Sequence, residues 1–344
     1  MSTAIQALVH KMDIKPFLSV IETELHRQVA RLDEPGLQPF HEMLTYHMGW
    51  TGEGAGPNAT GKRLRPLIVL LVTASNESKW LRASPVAAAI ELVHNFSLVH
   101  DDIQDNSNKR RGRTTVWKKW NMPQAINVGD ALFVISNLAI MDLAKDFPGE
   151  IVVRTARVIH SACLDLTRGQ YLDMAYENRN DLSIEDYWKM IDGKTAALIS
   201  ACTQVGAILG GTDDKTVEQY RLFGRELGLA FQIQDDILGI WGDEALIGKS
   251  AASDLVEGKN SLPILYGINK RGKFAQRWTT SAIRPDEVAD VAQMLVNEGA
   301  REYAEQEAQR LTNQSLNILE EINPKNEAGK ALADLTNTLL NRKS

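Results

Sequence analysis

Only two of the 344 residues are cysteine, Cys163 and Cys202, so no disulfide framework can staple this chain. Both sit inside helical apolar patterns and read as small buried hydrophobes. Runs that alternate apolar and polar residues are scarce, which argues against a sandwich or a barrel. There is no Pro/Gly/Ser-rich linker, composition shift or internal repeat, so a length that would allow two domains is read as one domain over 1–344. No long basic run accompanies the net charge of −6, which argues against a nucleic-acid surface. The apolar run LIVLLVTA at 67–74 falls far short of the ~20 residues that span a bilayer. The opening MSTAIQALVHKMDIK lacks a basic region followed by an apolar run, so a soluble, cytoplasmic protein without a membrane span is expected.

What is present is a 44% hydrophobic, 24% charged composition, ordinary for a globular chain with a large core. Apolar residues recur at i, i+3, i+4 and i+7 almost throughout, and the fold class is all-α. Helices are expected near 14–32, 38–48, 63–76, 80–102, 122–146, 149–177, 183–210, 214–240, 259–271, 286–321 with a break, and 325–342. Pro66, Pro85, Pro123 and Pro263 fall where a first turn can lose an N–H without penalty. The stretch 149–177 is apolar on much of its circumference and reads as a central helix. The Gly-rich break at 51–61 reads as a mobile loop between helical patterns.

Two apolar helical stretches end in paired aspartates. ELVHNFSLVHDDIQD carries Asp101, Asp102 and Asp105, and GRELGLAFQIQDDILG carries Asp235 and Asp236. A helix C-terminus holds about half a negative charge. Carboxylates there are repelled, and burial against an apolar face raises the cost, so a cation is implied. Mg²⁺ takes oxygen ligands and shares them with substrate phosphates, which suggests a cage for metal and phosphate. On a helix Asp101 and Asp105 share a face, with Asp102 about 100° away.

Basic residues follow. Lys109, Arg110, Arg111 and Arg113 crowd behind the first aspartates, where guanidinium forks can grip phosphate. In GKRLRP, Lys62, Arg63 and Arg65 join the backbone donors of a helix start as a second anion site. A third group is spread over DGKTAAL, with Lys194, over FQIQDD, and over Gly248, Lys249 and Lys259. Gln170 and Asp173 in GQYLD add polar groups that would need partners if buried.

HDDIQDNSNKRRGRTTVW, GKRLRP, GQYLD, DGKTAAL and FQIQDDILGIWGD, in this order and spacing, resemble the trans-prenyltransferases, also called isoprenyl diphosphate synthases or polyprenyl synthetases, over about residues 60–270. Among them the chain looks most like the geranylgeranyl diphosphate synthases. The resemblance implies an isoprenoid-synthase-type helical bundle around a central cavity, with two Asp motifs facing each other at its mouth, and a homodimer. It implies Mg²⁺-dependent condensation of isopentenyl diphosphate with an allylic diphosphate, through three Mg²⁺ ions. Asp101, Asp105 and Asp235 would ligate metal, with Asp102 and Asp236 supporting or sharing that task. Arg110, Lys194 and Lys259 would hold the allylic diphosphate, with Thr195, Gln232 and Lys249 nearby. Isopentenyl diphosphate would sit on Lys62, Arg65, His94 and Arg111. Phe96 and Ser97, five and four positions before Asp101, would set product length, and Ser97 above Phe96 points to C20. The family's second motif commonly ends in a further Asp, where this chain has Gly239; Asp243 is a candidate to compensate.

Three other readings compete. A class I terpene cyclase would need no isopentenyl site, and a non-catalytic subunit of a heteromeric synthase would tend to lack the aspartates or arginines. The Glu91-Leu-Val-His94 spacing also matches half of a di-iron carboxylate site, which needs a second copy.

Overall fold

The computed structural model describes residues 14–177, 179, 181–242 and 253–340. In chain order its helices are α1 Lys15–Val29, α2 Gln38–His47, α3 Pro57–Thr60, α4 Leu64–Asn76, α5 Ser84–Gln104, α6 Val116–Lys119, α7 Met122–Met141, α8 Gly149–Tyr176 and α9 Ile184–Ile191. They continue with α10 Ala197–Leu209, α11 Asp214–Trp241, α12 Ser253–Glu257, α13 Leu262–Lys270, α14 Lys273–Trp278, α15 Val288–Asn297, α16 Ala300–Ile322 and α17 Glu327–Leu340. Among the described residues the strands are β1 Lys109–Arg110 and β2 Arg113–Thr114, one two-residue hairpin. The fold is all-α, as the periodicity requires.

Proline starts several of these helices where a missing N–H is harmless: Pro85 in α5, Pro123 in α7 and Pro263 in α13 lie at the first or second position. The break expected within 286–321 falls at Gly299, whose φ of 82° ends one helix and starts the next. Two features were not legible as helix patterns. The expected helix 183–210 carries a π-helical turn, Asp192–Ala196, between α9 and α10. The short α12 and α14 lacked a periodic signal of their own.

The chain divides into two compact units, each discontinuous in sequence: 1–160, 202–217 and 324–335 form the first, and 161–201, 218–323 and 336–344 the second. In the first unit α5 packs against α7, α4 and α1. Its residues Val86 to Val93 are all buried, so α5 is enclosed as its apolar sequence demands. In the second unit Ile240, Leu255, Ile264, Phe274, Val291 and Leu295 share a core, closed over by α13, α15 and α16.

The reading of 149–177 as a central helix needs correction. Helix α8 exposes Val153, Leu164, Tyr171 and Met174, with Tyr171 70% accessible. Apolar content reports a wish for cover and not what supplies it, so the enclosed α5 and the half-open α8 look alike in sequence. Helix α7 is similar. With its extension to Lys145 it is long and apolar enough to cross a membrane by length and composition. One side packs on α5, while Met122, Ile126, Val134, Leu138 and Met141 are exposed at helical spacing. Both cysteines are buried and neither is in a disulfide, and burial pushes the Cys202 thiol up to about 12.

Candidate active site

In the first unit, the first acidic motif lies at the end of α5. Asp105 is the C-cap, its backbone N–H donating to the carbonyl of Asp101 at 2.9 Å. Asp101 is half-buried, Asp102 buried and Asp105 exposed. The chain then reverses in the β1–β2 hairpin, pairing Lys109 with Thr114 and Arg110 with Arg113. The two turn residues, Arg111 at φ 51° and Gly112 at φ 77°, are both left-handed, the backbone that matches the strand twist of a two-residue hairpin. The reversal returns Arg110 to the aspartates: Nε donates to Asp102 Oδ1 at 2.7 Å and Nη2 to Asp101 Oδ2 at 2.8 Å. Burial pushes the Asp102 carboxyl up to about 6 despite the pull of Arg110.

The same turn points Arg111 at the start of α4. Its Nη1 donates to the carbonyl of Ala59 at 3.0 Å. A Cβ on Gly61 would fall 2.6 Å from Arg111 Nη2, so a glycine, here at φ 81°, is what lets the guanidinium approach. One short hairpin therefore joins the acidic motif to GKRLRP. Lys62 is exposed. Arg65 Nη1 lies 3.3 Å from His94 Nε2. Burial, then the charges of Arg65 and Arg111, hold His94 well below its ordinary range, so its ring is neutral and accepts from Arg65.

Two cations that the sequence grouped as anion donors are committed elsewhere. Arg63, 4% exposed, donates to Glu91 Oε1 at 2.8 Å and to Glu22 Oε1 at 2.6 Å. Arg113 donates to the carbonyls of Glu53, Tyr46 and Thr51 and lies over the Tyr46 ring. The 51–61 stretch, expected as a mobile loop, is thereby tied down through the carbonyls of Thr51 and Glu53. Glu91 and His94 each hold an arginine, which leaves the iron reading without support.

A cleft is lined by Tyr46, His47, Asp102, Arg110, Arg111 and Arg113. His47, at the end of α2, buries its Nε2 with no hydrogen-bond partner among the described residues. Burial and then Arg111 and Arg110 lower it to about 3. A buried ring nitrogen beside two guanidiniums is a polar surface prepared for an anion or water. Nothing in the spacing of the sequence marked His47.

Near the first motif, Phe96 packs against Phe133 with centroids 5.0 Å apart and edge-on to His100 at 5.5 Å. Ser97 is half-buried and its hydroxyl donates to the carbonyl of His94. Helix α7 comes close here because residue 129 is glycine: a Cβ there would meet His100 Nε2 at 2.2 Å.

The second unit assembles another group. Backbones approach where α8 meets the π-turn: a Cβ on Gly169 would fall 2.1 Å from Lys194 N, and one on Gly193 2.6 Å from the carbonyl of Asp165. That contact explains the glycines of GQYLD and DGKT together, and it brings the Lys194 ammonium onto Asp173. Thr195 donates to Gln232 Oε1 at 2.6 Å, and Gln232 Nε2 donates to Asp236 Oδ1 at 2.8 Å. Asp236 also accepts from the Tyr187 hydroxyl at 2.7 Å and from the backbone N–H of Leu262 at 2.9 Å. It is 5% exposed, and burial pushes it up to about 7. Both its oxygens are thus used by protein donors, whereas Asp235, next to it, is exposed. Lys259 is exposed and pairs with Glu257 at 2.8 Å. Over Gly239, the Asp254 carboxylate stands 2.4 Å from where a Cβ would be, a neighbour that no sequence pattern marked. Lys249 and Asp243 lie outside the described residues.

Among the described residues no three His, Cys, Asp or Glu side chains converge as they stand to hold an ion. In kind the donors suit Mg²⁺: Asp101, Asp102, Asp105 and Asp235 offer only carboxylate oxygens. Asp102, desolvated and raised, is a carboxylate in want of positive charge, which Arg110 here supplies.

Comparison with known proteins adds four findings. A family model described as polyprenyl synthetase matches residues 56–297. The chain is 35% identical over 328 residues to the (2E,6E)-farnesyl diphosphate synthase of Mycobacterium tuberculosis, covering 92% of this chain and 89% of that protein. It is 39% identical over 253 residues to the geranylgeranyl diphosphate synthase of the same organism, covering 73% and 70%. The crystal structure of geranylgeranyl pyrophosphate synthetase from Pyrococcus horikoshii Ot3 superposes with a TM-score of 0.87 at 32% identity, covering 98% of this chain and 99% of that one.

Proposed function

The chain belongs to the polyprenyl synthetase family, and from that premise we propose a Mg²⁺-dependent synthase that joins isopentenyl diphosphate to an allylic diphosphate and makes a C20 product. That it is a prenyltransferase of the trans-prenyl diphosphate synthase kind follows from membership itself. The observation that carries the finer reading is the β1–β2 hairpin, which sets Arg110 on Asp101 and Asp102 and Arg111 beside Gly61. Acidic and basic groups of the kinds a two-diphosphate site requires thus adjoin within one unit, which supports the reading.

In this reading Asp101, Asp102, Asp105 and Asp235 hold the magnesium, three ions in all, and Asp236 holds its neighbours in place. Bound magnesium would neutralise the diphosphate of the allylic substrate as its C–O bond breaks. Arg110, Lys194 and Lys259 bind that diphosphate, and Thr195 and Gln232 orient it. Arg110 serves twice, as counter-ion to Asp101 and Asp102 and as phosphate donor when diphosphate binds. Lys62, Arg65, His94 and Arg111 fix the second diphosphate, so that the double bond of isopentenyl diphosphate meets the allylic carbon. Neutral His94 can accept from Arg65 through Nε2, which orients the guanidinium. The proton lost after coupling passes to the released diphosphate.

The product length rests on Phe96, whose ring is fixed by Phe133 and His100, with the small Ser97 beside it. The exposed apolar stripe of α7 supports a homodimer in which a second copy covers it. The test is incubation of purified protein with Mg²⁺, isopentenyl diphosphate and C5, C10 or C15 allylic diphosphates. We expect C20 geranylgeranyl diphosphate, and a longer product from Phe96→Ala. A cyclic hydrocarbon from an allylic diphosphate alone would overturn the synthase reading, and an unchanged product from Phe96→Ala would remove Phe96 as the floor.

A further inference from the structure

We propose that Glu91 and Arg63 form a buried clamp that sets the isopentenyl diphosphate site, Glu91 positioning Lys62 and Arg65 through Arg63 without touching substrate. This rests on the reading above that Lys62 and Arg65 hold that diphosphate.

Arg63 is the N-cap of α4 and has φ 49° and ψ 34°. A left-handed residue with a side chain is unfavourable by itself and persists when its surroundings impose it. Here the imposing groups are carboxylates. The guanidinium, 3% exposed, is held by Glu91, equally buried, and from the other side by Glu22. Glu91 is fixed in turn by Asn95 Nδ2, which donates to its Oε1 at 3.1 Å and to its carbonyl at 2.8 Å. The reversal at Arg63 has one visible effect: Lys62 stays outside the helix and exposed, while Arg65 enters the first turn and reaches His94.

On α5, Glu91 and His94 lie three residues apart and share a face. The first grips Arg63 and the second Arg65, two rungs from one helix to the start of another. The Glu-x-x-His spacing is thus accounted for without a metal. Stability alone is a poor explanation for the buried pair, since apolar replacements of such pairs are often neutral or stabilising. What an apolar pair would lack is direction. A two-pronged guanidinium held from both sides fixes the rotation of the backbone at Arg63, and so the separation of its two cationic neighbours.

The experiment measures KM for isopentenyl diphosphate and for the allylic diphosphate separately in Glu91→Gln, Arg63→Met, the double variant and Arg65→Ala. We expect each single clamp variant to raise KM for isopentenyl diphosphate by about tenfold to a hundredfold, with KM for the allylic substrate within about twofold. The double variant should be no worse than the worse single one, because both remove the same clamp. If Arg65→Ala leaves KM for isopentenyl diphosphate unchanged, the reading of the site fails and the clamp with it. If Arg65→Ala raises it and Glu91→Gln does not, the site stands and the clamp is overturned. Should Glu91→Gln not fold, Glu22→Gln takes its place, since Glu22 is 35% exposed and its loss is milder. The same selective rise in KM for isopentenyl diphosphate is then expected, and equal rises for both substrates would overturn the proposal.

Discussion

The two acidic motifs are alike in sequence and unlike in surroundings. At the end of α5, Asp101 and Asp102 are answered by a cation, the forked guanidinium of Arg110. In α11, Asp236 is answered by donors that carry no charge: a tyrosine hydroxyl, an amide and a backbone N–H. A cation at the first motif can be exchanged for another, because the charges balance either way. Asp236 has no such freedom, as its oxygens knit α9, α11 and the start of α13 together within the second unit. In the proposed reading the paired aspartates would divide labour, one offering oxygens to an ion and the other building the wall behind it.

The sharpest way to break this comparison is to neutralise one member of each pair. Asp101→Asn should lower kcat by about 10²–10³-fold, since charge stabilisation at the reacting diphosphate is lost. Asp236→Asn should cost only about tenfold, as a supporting group does. Equal losses in steady-state assays would abolish the distinction between ligand and support.

A second substitution tests the departure in the motif itself. Gly239→Asp writes in the residue common in the family, yet its Cβ would land against the Asp254 carboxylate. We expect a loss of about 1–3 kcal/mol in stability, from crowding, read from the denaturant midpoint, and no gain in activity. A variant as stable as the parent and faster would show that Asp254 gives way freely.

The smallest effect is a drift with pH. Asp236 has a folded value of about 7 against 3.8 for the free group, so between those limits the folded state binds the extra proton. Stability of the metal-free protein should therefore rise as pH falls from about 7.5 towards 5, by at most ~1.4 kcal/mol per unit from this group. Asp236→Asn should flatten that slope. An unchanged slope in melting temperature against pH would assign it to another group, of which Asp102, raised to about 6, is the first candidate.

Much of the fold was legible because helices are local. The 3.6-residue period and the prolines Pro85, Pro123 and Pro263 marked boundaries to within a few residues. The clusters of charge were legible too: Arg110 does meet Asp101 and Asp102, and Arg65 meets His94. What escaped was direction. Arg63 reads as a third phosphate donor beside Lys62 and Arg65, and only its left-handed backbone and its ion pairs with buried Glu91 and with Glu22 reveal a different task. Arg113 reads as part of a cationic crowd and instead ties a loop by its carbonyls. His47 and Tyr187 carried no pattern, since a single side chain on an ordinary helix face has no period to betray it.

The sequence by itself determined the class of fold and the inventory of charges, because helical periodicity and residue identity are local to the chain, and the family, because its motifs stand in a set order and spacing along it. The tertiary structure alone decided which charge answers which: that Arg110 serves the aspartates, that Glu91 holds Arg63, that Asp254 fills the space above Gly239. Those pairings join residues 8, 28 and 15 positions apart, and electrostatic and steric interactions act through distance in space, which the chain's order does not record.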